Sequence, residues 1–250
     1  LNMSGFKTKE RETYDINGEY WLNNDGETES MGIGTYHEHA RNRLNASMVN
    51  IGLSGQSRMA NHSLSYGLLA KMEKVEENMR EWEMRDSAGY SLPHSNNRLE
   101  LIYNVISNNN EKSKHYEGYL QDTYRKMFDE GELVLNYGAR ITRWNWNKET
   151  LFSPRLTMAF IPSKHTNTVY RFSTGVYYQT PFYKEMRDTI TVDGSTKAFL
   201  NHDIKSQRSI HFVLGMEHKF WVYKRPFKFT AEAYYKVLSN LIPYNVDNVR

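Results

Sequence analysis

Val169-Tyr170-Arg171-Phe172-Ser173-Thr174-Gly175-Val176-Tyr177-Tyr178-Gln179 alternates residue by residue. Tyr170, Phe172, Thr174, Val176 and Tyr178 fall on one side of an extended chain, and Arg171, Ser173, Gly175, Tyr177 and Gln179 on the other. Period two is the spacing of a strand with two different faces, and the stretch has the length, about 9–11 residues, of a strand that crosses a bilayer at a tilt.

The same pattern recurs on both sides of it. Leu133 to Thr142 sets Leu133, Leu135, Tyr137, Ala139 and Ile141 against Val134, Asn136, Gly138, Arg140 and Thr142. Arg155 to Ile161 continues it with Leu156, Met158 and Phe160, and Ser209 to Phe220 with Ile210, Phe212, Leu214, Met216 and Phe220. Phe227 to Lys236 opposes Phe227, Phe229, Ala231, Ala233 and Tyr235 to Lys228, Thr230, Glu232, Tyr234 and Lys236. Thr13–Leu22, Arg41–Gly55 and Tyr116–Lys126 read as further strands, the second with poor alternation. Short connections at Arg58–His62, Phe128–Gly131, Pro162–Asn167 and Val222–Pro226 take turns with long ones at Ala88–Asn97 and Thr180–Lys205. That rhythm of short turns and long loops is the one outer-membrane barrels show, although the Greek-key connections of a soluble sandwich mimic it locally.

Leu68 to Arg85 pulls the other way. Leu68, Met72, Val75, Met79 and Trp82 recur at helical steps in a Lys/Glu-rich stretch. The topology nevertheless predicts a strand, because Leu64 to Met72 alternates and follows a short turn. It is expected to rise beyond the lipid and to pair with the region between Leu99 and Lys126, and Leu99–Ser107 is assigned to an extracellular excursion.

Composition is compatible with this. A mean hydropathy of -0.75 and the absence of any long apolar run exclude membrane-crossing helices but not strands, which show lipid only every second residue. The 18 Tyr, 11 Phe and 5 Trp suit β-structure and interfacial girdles. A net charge of +3 without a dense basic block gives no support to nucleic-acid binding, and the lack of cysteine excludes disulfides and thiolate metal sites. His37-Glu38-His39 would place two imidazoles on one strand face, but no third ligand is near in sequence, and a polar segment explains it. Glu76, Glu77, Glu81 and Glu83 read as a solvated charged face rather than as acid/base pairs. No GxSxG, P-loop or dinucleotide fingerprint is present, and neither catalysis nor a cofactor is expected.

Tyr119-Leu120-Gln121-Asp122-Thr123-Tyr124, Leu135-Asn136-Tyr137-Gly138-Ala139-Arg140, Phe152-Ser153-Pro154-Arg155-Leu156 and Gly175-Val176-Tyr177-Tyr178-Gln179-Thr180-Pro181-Phe182 follow one another in order. In wording and spacing this succession resembles the barrel of TonB-dependent receptors of Gram-negative outer membranes. The resemblance implies an all-β, antiparallel up-and-down meander, about nine or ten strands of a barrel of about 22, not closed by itself. Residues 1–250 would then be a partial barrel domain in the outer membrane, with the plug domain and closing strands lying outside the chain. The implied function is TonB-energised uptake of a scarce nutrient, whether siderophore, cobalamin, glycan or peptide. The implied partners are outer-membrane lipid, the receptor's own plug, the TonB complex reached through the N-terminal part, and the nutrient.

On this register Arg140, Arg155, Arg171, Glu217, Lys228, Glu232 and Lys236 share the face away from lipid. They are the candidates for lining the lumen against plug or substrate. The competing reading is a soluble β-rich glycan-binding sandwich that uses its aromatics, with a carboxylate-based β-rich hydrolase as a third. A sandwich needs two sheets whose apolar faces meet, whereas a barrel presents one continuous outward belt.

Overall fold

A computed structural model describes residues 1–23, 30–86, 99–192 and 195–242. The chain forms β1 (Asn2–Asn23), β2 (Ser30–Met59), β3 (His62–Asp86), β4 (Glu100–Met127), β5 (Gly131–Trp144), β6 (Thr150–Pro162) and β7 (Thr168–Gln179). After a short 3-10 turn at Tyr183–Met186 come β8 (Arg187–Val192), β9 (Ser195–Leu200), β10 (Gln207–Val222) and β11 (Arg225–Ser239). The sheet order is β1-β2-β3-β4-β5-β6-β7-β10-β11, each strand antiparallel to its neighbour in that path. It is one open meander, as the alternation predicts.

Leu68 to Arg85 is strand. Lys71, Val75 and Glu83 pair with His115, Glu111 and Tyr103 on β4, and with Asn50, Ala46 and Glu38 on β2. Cross-strand hydrogen bonding on both sides overrides the helical spacing, since propensity is a weaker term than ladder pairing. One assignment changes. Residues from Glu100 to Ser107 are the upper part of β4 itself, paired with Arg85 to Met79, not a loop excursion. The long loop at 88–97 lies outside the described residues.

The register lines the apolar residues into rows. Leu53, Leu68, Gly118, Ile141 and Phe152 form one, running across β2 to β6. Leu135, Met158, Phe172, Leu214 and Ala233 form another, across β5 to β11. Leu68 is 67% exposed and Leu214 63%, and no second sheet covers them among the described residues. From Leu133 to Ile141 the belt runs about 26 Å along the strand, or roughly 20 Å of depth at a tilt of about 40°. At its short-turn margin Asp122 ties three strands. Its carboxylate meets His62 Nδ1 on β3 at 2.5 Å and accepts from the Tyr137 hydroxyl on β5 at 2.8 Å.

Two local features shape the sheet. The β10–β11 turn places Tyr223 and Lys224 at φ 48° and 61°, both in the left-handed region, as a two-residue hairpin between Val222 and Arg225 requires. Gly138 lies so close to β4 that a Cβ there would sit 2.4 Å from the Leu120 carbonyl oxygen.

Candidate functional site

The face opposite the belt is polar and carries all seven charged candidates. Arg140 opposes Ser153, Arg155 opposes Gly138 and Gly175, and Arg171 opposes Ala159 and Gly215. Glu217 opposes Val169 and Thr230, Glu232 opposes Gly215, and Lys236 opposes His211. Strict alternation in each strand keeps these side chains on one side.

Five of them fall into two groups. Glu217 is the hub of the first: Arg171 Nη2 approaches its carboxylate at 3.2 Å, Lys228 Nζ at 3.3 Å and Lys219 Nζ at 3.7 Å. Cations on β7, β10 and β11 thus converge on one buried acid. The second group is Arg140 with Arg155. Arg140 donates to Glu117 at 3.2 Å and lies 5.9 Å from the Tyr119 ring centroid, while Arg155 stacks over Tyr177 at 4.5 Å. A hollow of about 140 Å³ separates them, floored by Gly138 and rimmed by Gln121, Asn136 and Ser153. Glu232 and Lys236 stand apart from both. Glu232 makes no ion pair among the described residues, and Lys236 lies over its neighbour Tyr234 at 5.3 Å.

Further from the short turns the polar face is no longer open. Residues 180–192 and 195–206 fold back across it, where β3 and β4 outrun β5. β9 joins the edge of β4 in parallel through Val105 and Ile106, and β8 pairs with β9. The 3-10 turn brings Met186 against Trp144, Trp146 and Leu200, with Tyr183 and Ile204 packed alongside. Trp144 donates to Ser113 Oγ at 2.7 Å and stacks on His115, and Trp146 stacks on His202 at 4.0 Å. The turn after β5 clasps the far end of the segment. Glu149 Oε2 accepts from Ser206 N at 3.1 Å and from Ser206 Oγ at 2.6 Å, and Asn147 donates to the Ile204 carbonyl at 2.9 Å.

The polar centre of this lid is Glu77. Its carboxylate is buried and accepts from Tyr183 at 3.0 Å, Ser107 at 2.9 Å and Asn109 at 3.3 Å, with Arg187 3.5 Å away. The sequence reading of Glu76, Glu77, Glu81 and Glu83 as one solvated face is therefore corrected. Alternation turns Glu77 and Glu83 to the covered side, where both are buried, while Glu76 lies on the other face. The hairpin too had a signal, the Asp-Gly pair at 193–194 between Ile190-Thr191-Val192 and Ser195-Thr196. Trp144-x-Trp146 is a second, two large apolar rings on a face that is otherwise polar.

His37 and His39 flank the Trp82 ring at 4.8 and 4.9 Å, and His39 Nδ1 contacts Asp15 at 2.6 Å. Among the described residues no three His, Cys, Asp or Glu side chains gather as a metal site.

A family model described as TonB dependent receptor-like, beta-barrel, matches residues 4–250. The chain belongs to this TonB-dependent receptor family. Its place is accordingly the bacterial outer membrane. No curated protein matches the sequence. Among solved structures, the receptor barrel is similar to the RagAB peptide importer in its closed-closed state, at TM-score 0.49 and 10% identity, over 94% of this chain and 28% of that one. It is also similar to the outer-membrane transporter YddB from Escherichia coli, at TM-score 0.45 and 10% identity, over 88% and 36% of the two chains. The chain thus spans about a third of the length of the transporters it resembles.

Proposed function

We propose that this chain is part of the barrel of an outer-membrane transporter that imports a scarce nutrient, with its polar face lining the lumen. The nutrient classes in view are siderophore, cobalamin, glycan and peptide. The observation that carries the reading is the division of one meander into two faces. A continuous apolar belt lies on one, and the Glu217 hub, the Arg140–Arg155 pair and the Glu77-centred lid lie on the other. In this reading the two charged groups hold the plug or steer passing substrate, and the segment 180–206 narrows the mouth above them. The plug, the closing strands and the TonB contact belong to the rest of the receptor.

The test uses the full-length receptor in its own outer membrane. Radiolabelled uptake from a panel of the four nutrient classes is compared between wild type, a deletion strain and the double variant Arg171→Glu/Lys228→Glu. The reading expects uptake of one class to vanish on deletion and to fall in the double variant at unchanged barrel assembly. Uptake of every class surviving the deletion would refute it.

A further inference from the structure

The belt-bearing face changes character abruptly toward its upper end. The last apolar row is Gly5, Val49 and Met72, which already meets Lys114 on β4. The next row on the same face is Lys7, Ser47, Lys74 and Lys112. Two rows higher come Arg11, Arg43, Asn78 and Asn108, and then Thr13 with Arg41. Register is unbroken along this whole length of β1, β2 and β3, so the cations point the same way as Val49 and Met72.

Little of this charge is neutralised. Within the band Glu76 pairs with Lys74, and Asp15 takes Arg41 together with His39. Among the described residues Lys7, Lys9, Arg11, Arg43, Arg80 and Lys112 make no ion pair.

The arginines also surround a groove. β2 and β3 pair at Ala40–Glu81 and again at Arg43–Asn78, but between these points the Arg80 N–H donates to the Asn42 side chain at 3.3 Å. The gap opens a hollow of about 480 Å³ lined by Arg11, Arg41, Arg43 and Arg80 with Thr13 and Asn78. Among the described residues no acidic side chain lines it.

Depth identifies the ligand. The lysine row lies two residues past Met72, about 7 Å along the strand and roughly 5 Å above the hydrocarbon edge at the usual tilt. The arginine groove lies six residues past it, about 20 Å along the strand and roughly 15 Å up. The first height is that of a lipid's own phosphate, and the second is beyond a simple phospholipid headgroup, whose layer is only about 5–8 Å thick. A ligand that fills both carries anionic groups at the membrane boundary and again on a sugar headgroup above it. Lysine serves the first tier as a point charge, and arginine serves the second with its planar donor fork, which matches phosphate. Because these side chains face away from the polar face, the ligand approaches from within the leaflet and not through the lumen.

We infer that this outward band on β1–β4 is a binding site for a phosphorylated glycolipid of the outer leaflet. The lysine row takes the lipid-proximal phosphate, and the arginine groove takes an anionic group on the sugar. The inference rests on outer-membrane location and is independent of what the receptor transports.

The experiment is native mass spectrometry of the full-length receptor in mild detergent, titrated with lipid-A-type glycolipid that retains its core phosphates. The comparison probe is the same lipid treated with phosphatase. Wild type should retain the phosphorylated lipid far better than the dephosphorylated one, with a preference that falls as salt is raised above about 0.15 M. Arg11→Gln/Arg43→Gln/Arg80→Gln should weaken retention roughly a hundredfold, from three lost surface cations. Lys164→Gln/Lys224→Gln at the short-turn end should leave it unchanged. Equal retention of both lipids by wild type would overturn the inference without any variant having to fold. Wild-type retention in a correctly assembled triple variant would overturn it as well.

Discussion

The Tyr183 hydroxyl donates a 3.0 Å hydrogen bond to Glu77, a buried carboxylate 106 residues earlier in the chain. Burial, and after it the charge of Glu77, push the Tyr183 phenol far above its ordinary value. The bond therefore persists through the whole physiological range and fastens the 3-10 turn at Tyr183–Met186 over β3 and β4. Tyr183→Phe should leave the buried acid one donor short, at a local cost of about 1–3 kcal/mol. In the full-length receptor, amide exchange across 183–200 should quicken by roughly five- to a hundredfold while β10 is unaffected. Unchanged protection would mean that the apolar cluster around Trp144 and Met186 alone holds the lid.

The two faces of the sheet should answer differently to charge. Phe212→Arg and Phe229→Arg put a cation against hydrocarbon, for about 2–4 kcal/mol at mid-depth. Arg171→Glu and Glu232→Lys stay on the polar face and should assemble nearly as wild type, with any defect appearing in uptake. Heat-modifiable gel mobility separates the classes. Equal damage from both would invert the face assignment.

What the sequence disclosed and what it withheld follow from the range of the interactions. Alternation in Val169–Gln179 or Ser209–Phe220 is set by the pleat of a single strand, so it was legible residue by residue. The placement of Arg140, Arg155 and Arg171 on one face followed from the same period. The convergence of Arg171, Lys219 and Lys228 on Glu217 did not, because it depends on the register of three strands against one another. Leu68–Arg85 had a local pattern that favoured helix, and only its position in the meander decided otherwise. The Glu77 site was hidden for a different reason. Its partners Ser107, Tyr183 and Arg187 come from β4, the 3-10 turn and β8, all well along the chain from it, and a run of glutamates looks solvated until something is known to cover it.

Acid should loosen the upper end of β1. Arg41 and His39 both bond the Asp15 carboxylate and hold it below its ordinary value of 3.8. A carboxyl depressed in the folded state adds stability at pH above its ordinary value and loses it as pH falls through the lower, folded value. Asp15 is exposed, so the effect is modest and local. Asp15→Asn should fray the pairing of residues 13–17 with 37–41 near neutral pH, and the difference from wild type should disappear in acid below the carboxylate range. Proteolytic susceptibility of this region in the full-length receptor is the readout. A difference that persisted in strong acid would show that the asparagine acts through something other than lost charge.

Two glycines on the polar face offer a sharper contrast, because the space around them differs. At Gly138 an added Cβ would lie 2.4 Å from the Leu120 carbonyl oxygen and 2.7 Å from Gln121 Cα. Both obstacles are backbone of the neighbouring strand, so no rotamer change relieves the clash and β4 must move away from β5. At Gly215 the nearest atoms are Glu232 Cγ at 3.5 Å and the Ala231 oxygen at 3.7 Å, which is ordinary contact. Neither glycine has positive φ to protect, so space alone decides between them. Gly138→Ala should therefore destabilise the barrel by about 1–3 kcal/mol, as overpacking does. Gly215→Ala should be neutral or raise stability by roughly 0.4–1 kcal/mol, through the loss of conformational freedom in the unfolded chain. The temperature at which the full-length receptor loses its compact gel mobility should fall for the first variant and hold or rise for the second. A fall for both would mean that a methyl group is unwelcome anywhere on this face, which is what a tightly docked plug lying over Gly215 would produce.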